Sequence, residues 1–593
     1  MAAHEHSELD TMRHSAAHVM AAAVLRLFPG TKLGVGPAIE NRFYYDMDVP
    51  GGITSDDLPK IEEEMRRIVA EAHPFEREDV SIESAIERFR SMDQDYKVEL
   101  LKDLKERGTT RIGSFEDVDV DPTNVTTASL YRTGDFLDLC RGPHVASSAD
   151  IGAFKVLEIA AAYWRGDQQR PQLQRIYGTT WKTQEDLERY QWQIEEAKKR
   201  DHRRLGRELG LFMFHPWAPG EAFWLPKGAA LYQTLSEFIR RLLLVEGGYV
   251  EVRSPLLFNK ALWETSGHWD KFRENMFWVE SDDQTMGLKA MNCPGHMLVF
   301  GNELRSYRDL PMRIHDQSVL HRNEDSGNLS GLTRVRQFCQ DDAHLFVTPD
   351  QIEREMSAIL GFVKRVYDLF GLDYKMELST RNPESYLGDL ATWEAAQNNL
   401  RSALAANNIS YDIKEGDAAF YGPKIDIHVT DALGREWQCA TVQLDYQMPE
   451  RFDLSYVGED QAKHRPVVIH QAIFGSFERF IAMLIEHYGG AFPFWLAPVQ
   501  AVVLPIADRH AGFAERVAHQ LRGAGFRVEL DTRRENLNHK IRDAQLQKVP
   551  YMLVVGDREA ESGAVAVRTR AGENLGAVTL DDVLQRFRSE IPL

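Results

Sequence analysis

Apolar and polar residues follow two rhythms along this chain, and the places where the rhythm changes predict its divisions. From Val499 onward the run VQAVVLPI, the helically spaced FAERVAHQLRGAG, the short FRVELD, a second helical stretch HKIRDAQLQKV and the apolar PYMLVVGD follow one another. That alternation predicts a small α/β domain. Upstream, Gln184 to Leu209 (QEDLERYQWQIEEAKKRDHRRLGREL) is dense in charge at helical spacing and predicts a connecting helix, with a boundary near Arg200. Between that helix and the segment around Gly489 to Pro498, strand-like runs separated by long turns predict a large antiparallel sheet. Residues up to about Thr183 mix both patterns. We find no internal repeat and no low-complexity segment.

One polar pattern within the middle region carries chemistry. His321 to Phe346 reads HRNEDSGNLSGLTRVRQFCQDDAHLF: Arg322 and Glu324 alternate, a turn-rich Asp-Ser-Gly-Asn segment follows, and the chain returns through Arg334, Arg336 and Phe338. This predicts a β-hairpin with charge on one face. Arginine offers a planar fork for phosphate and carboxylate oxygens, Glu324 can accept from an exocyclic amine, and Phe338 offers a flat surface to a base. Farther on, HQAIFGSFERF sets Arg479 into an apolar helix, where it could cap the same site. The competing reading is a hairpin whose arginines are merely solvated or salt-bridged.

Composition narrows the class. At 593 residues the chain is long enough for three or four domains, and 43% hydrophobic with 27% charged residues is ordinary for a globular protein. No apolar run approaches the ~18 residues of a membrane span, and the start, MAAHEHSELD, is acidic without an apolar stretch, so the expected location is the cytoplasm. Four cysteines in such a length are no disulfide framework and leave metal or catalytic use open. The net charge of −20 argues against a nucleic-acid partner only on average. From Pro498 onward there are 14 basic and 13 acidic residues, so the acidity lies elsewhere and the tail is permissive of RNA.

The hairpin string and the Gly-Ser-Phe-Glu-Arg run ending at Arg479 resemble motifs 2 and 3 of class II aminoacyl-tRNA synthetases, and the Gln-Asp-Asp-Ala-His ending is similar to that of threonyl-tRNA synthetases. The resemblance covers essentially the whole chain. It implies an α+β multidomain protein: an N-terminal α+β editing domain (1–183), a linker helix (184–202), a class II catalytic core built on an antiparallel sheet (203–493) and a C-terminal α/β anticodon-binding domain (494–593). Many family members begin with a further small β-rich domain, which is expected to be absent here. The implied activity is ATP-dependent ligation of L-threonine to threonine tRNA through a threonyl-adenylate, with Mg2+ accompanying ATP. Motif 1, around YVEVRSP with Pro255, implies a homodimer. A catalytically silent RNA-binding regulatory paralogue is the alternative, against which intact Arg322, Glu324 and Arg479 argue. A related proline or serine synthetase is a second rival, disfavoured by the zinc ligands that the resemblance implies at Cys293, His344 and His470 and by the editing segment.

Residue by residue, the resemblance assigns Cys293, His344 and His470 as ligands of one zinc ion per subunit. Their spacing alone would never group them, and singly each is more readily a buried structural residue. One thiolate and two imidazoles leave coordination positions open. Zinc taking both the amine and the hydroxyl of threonine would reject valine, which an apolar pocket cannot do well. Asp342 and Tyr421 are implied to contact the substrate amine, with Gln340 and Lys424 in the same pocket, although Phe-Tyr-Gly-Pro-Lys by itself reads as a turn. Arg322 is implied to hold carboxylate and α-phosphate, Arg479 the ATP tail, and Glu324, Arg334 and Phe338 the nucleotide. His268 matches the base of the transfer step; taken alone it reads as a surface histidine.

A second set lies near the start. His14 and His18 in RHSAAHVM share a helix face, and Cys140 and His144 flank a Gly-Pro loop in DLCRGPHV, donor types and spacing that suit zinc. The resemblance instead implies a metal-free hydrolytic editing site, with Asp138 as accessory. Serine differs from threonine by one methyl, worth ~1–3 kcal/mol, so synthesis alone cannot exclude it and seryl-tRNA must be hydrolysed afterwards. In the tail, DTRRENLNHKIR and GDREAESGAVAVRTR resemble anticodon-reading segments, with Glu559 and Arg568 the base-contact candidates. The family commonly has Asn where Arg534 stands here.

Overall fold

A computed structural model describes residues 7–107, 126–167 and 169–592. The chain forms two compact units, Met1–Glu195 and Glu196–Leu593.

The first unit is organised by the helix Glu8–Leu27. Ser7 caps it by accepting from the Asp10 N–H, and Glu8 and Asp10 favour its positive end. The following AAHVMAAAV stretch is small enough to bury nearly all round, from Ala16 to Val24. It packs with the helix Leu58–Glu71 beside a sheet in the order Lys32–Leu33, Arg42–Asp48, Gln172–Trp181, Ala153–Tyr163. A smaller antiparallel sheet joins Glu76–Ser81, Thr127–Thr133 and Phe136–Leu139.

The charged stretch expected as one helix is two. Gln184–Arg200 ends where Asp201 adopts φ −47°, ψ 121°, and the Asp201 carboxylate accepts the Arg203 N–H to start His202–Glu208. An aspartate that can bond the backbone ahead of it competes with helix continuation, a signal present in the sequence.

The second unit holds an eight-stranded sheet in the order Val250–Glu251, Met312–Asp316, Asp342–Val347, Val467–Ala472, Glu436–Asp445, Lys424–Thr430, Asp373–Ser379, Tyr411–Lys414. It is antiparallel as expected except at its two edges, where the outermost pairs run parallel. The helix Phe477–Tyr488 packs into the same core and is buried along most of its length, Glu478 and Glu486 included. Ser476 caps its start through the Arg479 N–H, and Gly489 ends it at φ +57°.

The predicted charged hairpin is shorter than its sequence suggests. Val319–His321 pairs with Gln337–Cys339 for three residues only, and the turns Ser326–Asn328 and Gly331–Thr333 occupy the excursion. The tail forms a sheet in the order Val528–Leu530, Ala501–Pro505, Tyr551–Val555, Ala564–Thr569, Asn574–Thr579. Its first three strands are parallel, as the alternation predicts, and the last two add an antiparallel extension that the sequence reading did not specify.

Candidate functional site

Adjacent strands of the eight-stranded sheet place His344 directly opposite His470. Their ring nitrogens Nε2 and Nδ1 stand 2.9 Å apart, and Cys293, first residue of the helix Cys293–Gly301, brings its sulfur to the same point. All three are buried, and one donor atom from each lies within 4.8 Å of the others. Donors bound to one zinc at ~2.0–2.3 Å stand at most ~4.6 Å apart, so this set fits the ion with small adjustment. The surroundings fix the rings. His470 Nε2 lies 2.9 Å from Asp445 Oδ2, and His344 Nδ1 lies 2.8 Å from His296 Nδ1. Burial, then the charges of Asp342 and Asp445, push the Cys293 thiol well above its usual range. A bound cation would reverse that cost.

Asp342 and Tyr421 sit beside this cluster. The Asn292 amide donates to Asp342 at 2.9 Å, and the Tyr421 ring lies 5.2 Å from that of His470. Burial raises Tyr421 well above its ordinary value, so it remains a phenol able to donate. Lys424 is paired with Asp426 at 2.7 Å, and Gln340 is half-buried at the end of the hairpin.

Arg322 is partly buried and lies over Phe338 at 5.0 Å and Phe272 at 5.6 Å. Phe338 is itself buried, so the platform expected for a base carries Arg322 against its ring. Glu324 accepts from Arg334 at 2.8 Å. The carboxylate of Glu478 accepts the Cys339 N–H at 3.0 Å and so ties the helix bearing Arg479 to the hairpin's return strand. Arg479 Nε is buried with no hydrogen-bond partner among the described residues. A buried guanidinium donor left open is costly unless an anion fills it.

His268 is fully buried, which rules out the surface reading. Ser266 Oγ donates to the Trp263 carbonyl, so it accepts at 2.8 Å from His268 Nδ1–H and leaves Nε2 as the basic nitrogen, without a partner among the described residues. Burial, then Arg322 and His470, lower this imidazole to about 3.

In the first unit the four predicted residues also converge. Cys140 Sγ lies 3.3 Å from His14 Nε2 and 3.3 Å from His144 Nε2. Ser15 donates to the Thr11 carbonyl, so its oxygen accepts from His144 Nδ1–H at 3.1 Å and His144 Nε2 keeps its lone pair. Burial, then the neighbouring His18 and His14, hold His144 far below its normal range, and burial with Asp138 raises Cys140 to about 12. The arrangement therefore offers neutral imidazoles at His18 and His144 and a neutral thiol, suited to positioning and activating water rather than to a thiolate nucleophile. Its donors also lie within 4.8 Å of one another, as a metal set would. His18 Nε2 is 3.5 Å from Asp138.

Two residues here escaped the sequence reading. Lys97 is buried with its ammonium 2.5 Å from Asp138 and 3.0 Å from the Tyr45 hydroxyl, which itself donates to Asp138. A lysine amid Tyr96, Val98, Leu100 and Leu101, all buried, was the available signal.

In the tail, Glu559 caps its own helix by accepting the Gly556 N–H at 2.9 Å, and Arg568 is half-buried on Ala564–Thr569. Arg533 and Lys540 line a cleft with Glu529, Asp531 and Asp543. Arg534 is 86% exposed and lies 3.5 Å from Asp508.

Comparison with known proteins identifies three family matches along the chain. The family "tRNA synthetase class II core domain (G, H, P, S and T)" matches residues 277–488, "Anticodon binding domain" matches 500–590, and "Threonyl and Alanyl tRNA synthetase second additional domain" matches 128–177. The threonine–tRNA ligase of Myxococcus xanthus is 51% identical over 97% of this chain and 87% of its own length. That of Thermotoga maritima is 48% identical over 98% of this chain and 88% of its own. Among solved structures, the RNA binding domain of threonyl-tRNA synthetase from Cryptosporidium parvum is 45% identical, with a TM-score of 0.65 over 66% of this chain and 99% of its own.

Proposed function

The chain belongs to the threonyl-tRNA synthetase family, and we propose that its two centres divide the work of ligating L-threonine to threonine tRNA with ATP and of hydrolysing mischarged seryl-tRNA. The observation that carries the synthetic half is the convergence of Cys293, His344 and His470 beside Asp342 and Tyr421. Cys293, His344 and His470 would hold zinc, which when bound supplies a Lewis acid for the amine and hydroxyl of threonine. Asp342 and the un-ionised Tyr421 orient the amine, and Gln340 and Lys424 complete the pocket.

Arg322 holds the carboxylate against the α-phosphate, where charge develops as pyrophosphate leaves. Arg479, with its open Nε, receives the triphosphate, which Mg2+ accompanies. Glu324, Arg334 and Phe338 hold the nucleotide. His268 keeps a lone pair on Nε2 and takes the proton of the ribose hydroxyl that attacks the adenylate. The alternative of a silent RNA-binding paralogue has no support in a site whose donors are all in place.

At the second centre His14, His18, Cys140 and His144 position and deprotonate water, with Asp138 held by Lys97 as their support. The extra methyl excludes threonyl-tRNA by size. Glu559 and Arg568 contribute to anticodon recognition. The stretch around Pro255 serves a homodimer; Val245 at 75%, Val250 at 50% and Leu256 at 45% exposure are the apolar side chains it would cover.

No helix among the described residues is long and apolar enough to cross a membrane. Metal analysis of the wild type and of Cys293→Ser tests the zinc centre: about one zinc per chain, lost together with threonine activation. Full zinc and full activity in the variant would overturn it.

A further inference from the structure

Asp201, His202 and Glu486 gather donor types that could hold a cation. The hydrogen bonds assign them elsewhere. His202 Nε2 accepts the Leu332 N–H at 3.0 Å, so the ring proton is on Nδ1, which donates to Glu486 Oε1 at 2.6 Å. Both ring nitrogens are committed, and the lone pair on Nε2 is not left for a metal. The His202 backbone N–H donates to the same Glu486 oxygen at 3.0 Å, while Glu486 Oε2 takes Arg435 at 2.6 Å. His202 at 3% and Glu486 at 4% exposure are buried, and Arg435 covers them from a half-buried position.

The three elements joined are informative. Leu332 lies in the turn Gly331–Thr333 of the charged hairpin, directly before Arg334 and its partner Glu324. Glu486 stands on the helix Phe477–Tyr488, whose first turn carries Arg479. Gly331 has φ +51°, and a Cβ there would lie 2.3 Å from His202 Nε2, so glycine is what lets the hairpin backbone reach the imidazole.

We propose that His202 is a positioning residue for ATP: it ties the hairpin turn to the helix carrying Arg479 and thereby holds Arg334 and Glu324 where the nucleotide meets them. This rests on the reading of the hairpin as the nucleotide site. A strut of this kind acts on where ATP is held, and threonine, gathered at the buried cluster of Cys293, His344 and His470, does not depend on it.

The test is ATP–pyrophosphate exchange by the full chain carrying His202→Phe, which keeps ring volume without the hydrogen bonds, His202→Gln, which keeps an acceptor for the Leu332 N–H, and Gly331→Ala. The expected result is a KM for ATP raised roughly tenfold in His202→Phe and Gly331→Ala, a KM for threonine within twofold of wild type, and partial recovery in His202→Gln. Should His202→Phe fail to fold, the Gln and Gly331 variants decide. An unchanged ATP KM, or equal losses for ATP and threonine, would overturn the proposal. Arg334→Ala separates the two layers: if it leaves the ATP KM unmoved, the nucleotide reading of the hairpin is what fails, whereas a raised KM there with none in the His202 variants refutes the strut alone.

Discussion

Replacing Asp445 with asparagine exchanges one carboxylate oxygen for an NH2 group and should cost the proposed zinc centre most of its affinity. Asp445 is fully buried; Oδ1 accepts the Gln447 and Met448 N–H groups at 2.8 and 2.9 Å, and Oδ2 takes His470 Nε2 at 2.9 Å. The amide oxygen of asparagine can keep the two backbone bonds, so the first two N–H groups of the helix Gln447–Arg451 retain their acceptor. Its NH2 must then face His470. Two donors cannot share a proton, so His470 is driven to the other tautomer, which puts a hydrogen on Nδ1, the nitrogen that faces His344 and would bind the ion. Loss of a carboxylate behind a ligating histidine typically costs ~10–100-fold in metal affinity, or about 1.4–2.8 kcal/mol. The assay is zinc retention against a graded chelator, followed by threonine-dependent pyrophosphate exchange with and without added zinc. We expect Asp445→Asn to release zinc at roughly tenfold or more lower chelator and to recover part of its activity when zinc is restored. Zinc retention within twofold of wild type would refute the tautomer argument, and with it the assignment of His470 Nδ1 as a ligand atom.

Three further outcomes follow from the same geometry. His14→Ala combined with Cys140→Ala should leave threonylation nearly intact while pre-formed seryl-tRNA persists; unchanged deacylation would refute the editing assignment, and loss of metal from that unit would point to zinc there. His268 is lowered to about 3, so its neutral form persists as the pH falls, and the single-turnover transfer rate should stay flat from pH 8 to about 5. A histidine at its ordinary value of ~6.5 would instead lose about tenfold by pH 5.5, and that profile would contradict the buried-base account. Lys97→Met leaves Asp138 buried without its cation, so thermal unfolding of the first unit should show a loss of about 3–5 kcal/mol; less than 1 kcal/mol would mean that Asp138 does not depend on Lys97.

The sequence made the chemistry legible where residue type and spacing recur locally. His14 and His18 four apart on one helix, the Gly-Pro loop between Cys140 and His144, and the string from His321 to Phe346 are signals of this kind. What supports those residues comes from distant strands. Asp445 reaches His470, and Lys97 reaches Asp138, only through sheet pairing and packing, and no local pattern links them. His296 is an exception, since it stands three residues after Cys293 on one helix face and a C-x-x-H reading could have found it. The three-residue ladder of the hairpin was illegible for another reason. Alternating charges look the same whether the strand pairs or arches, and here bonds such as that from Arg336 Nε to the Glu324 carbonyl, at 3.0 Å, hold an arch. Likewise the charged run from Gln184 shows helical spacing throughout, and only Asp201 marks the break.

The central claim is that the cluster of Cys293, His344 and His470, with Asp342 and Tyr421, selects threonine for activation by ATP. ATP–pyrophosphate exchange with a panel of threonine, serine, valine, proline and alanine tests it most directly. The account predicts strong exchange with threonine, weaker exchange with serine by a factor on the order of 10 to 200, and almost none with valine or proline. Exchange driven best by proline or by valine, or no exchange with any amino acid by folded, zinc-loaded protein, would contradict it.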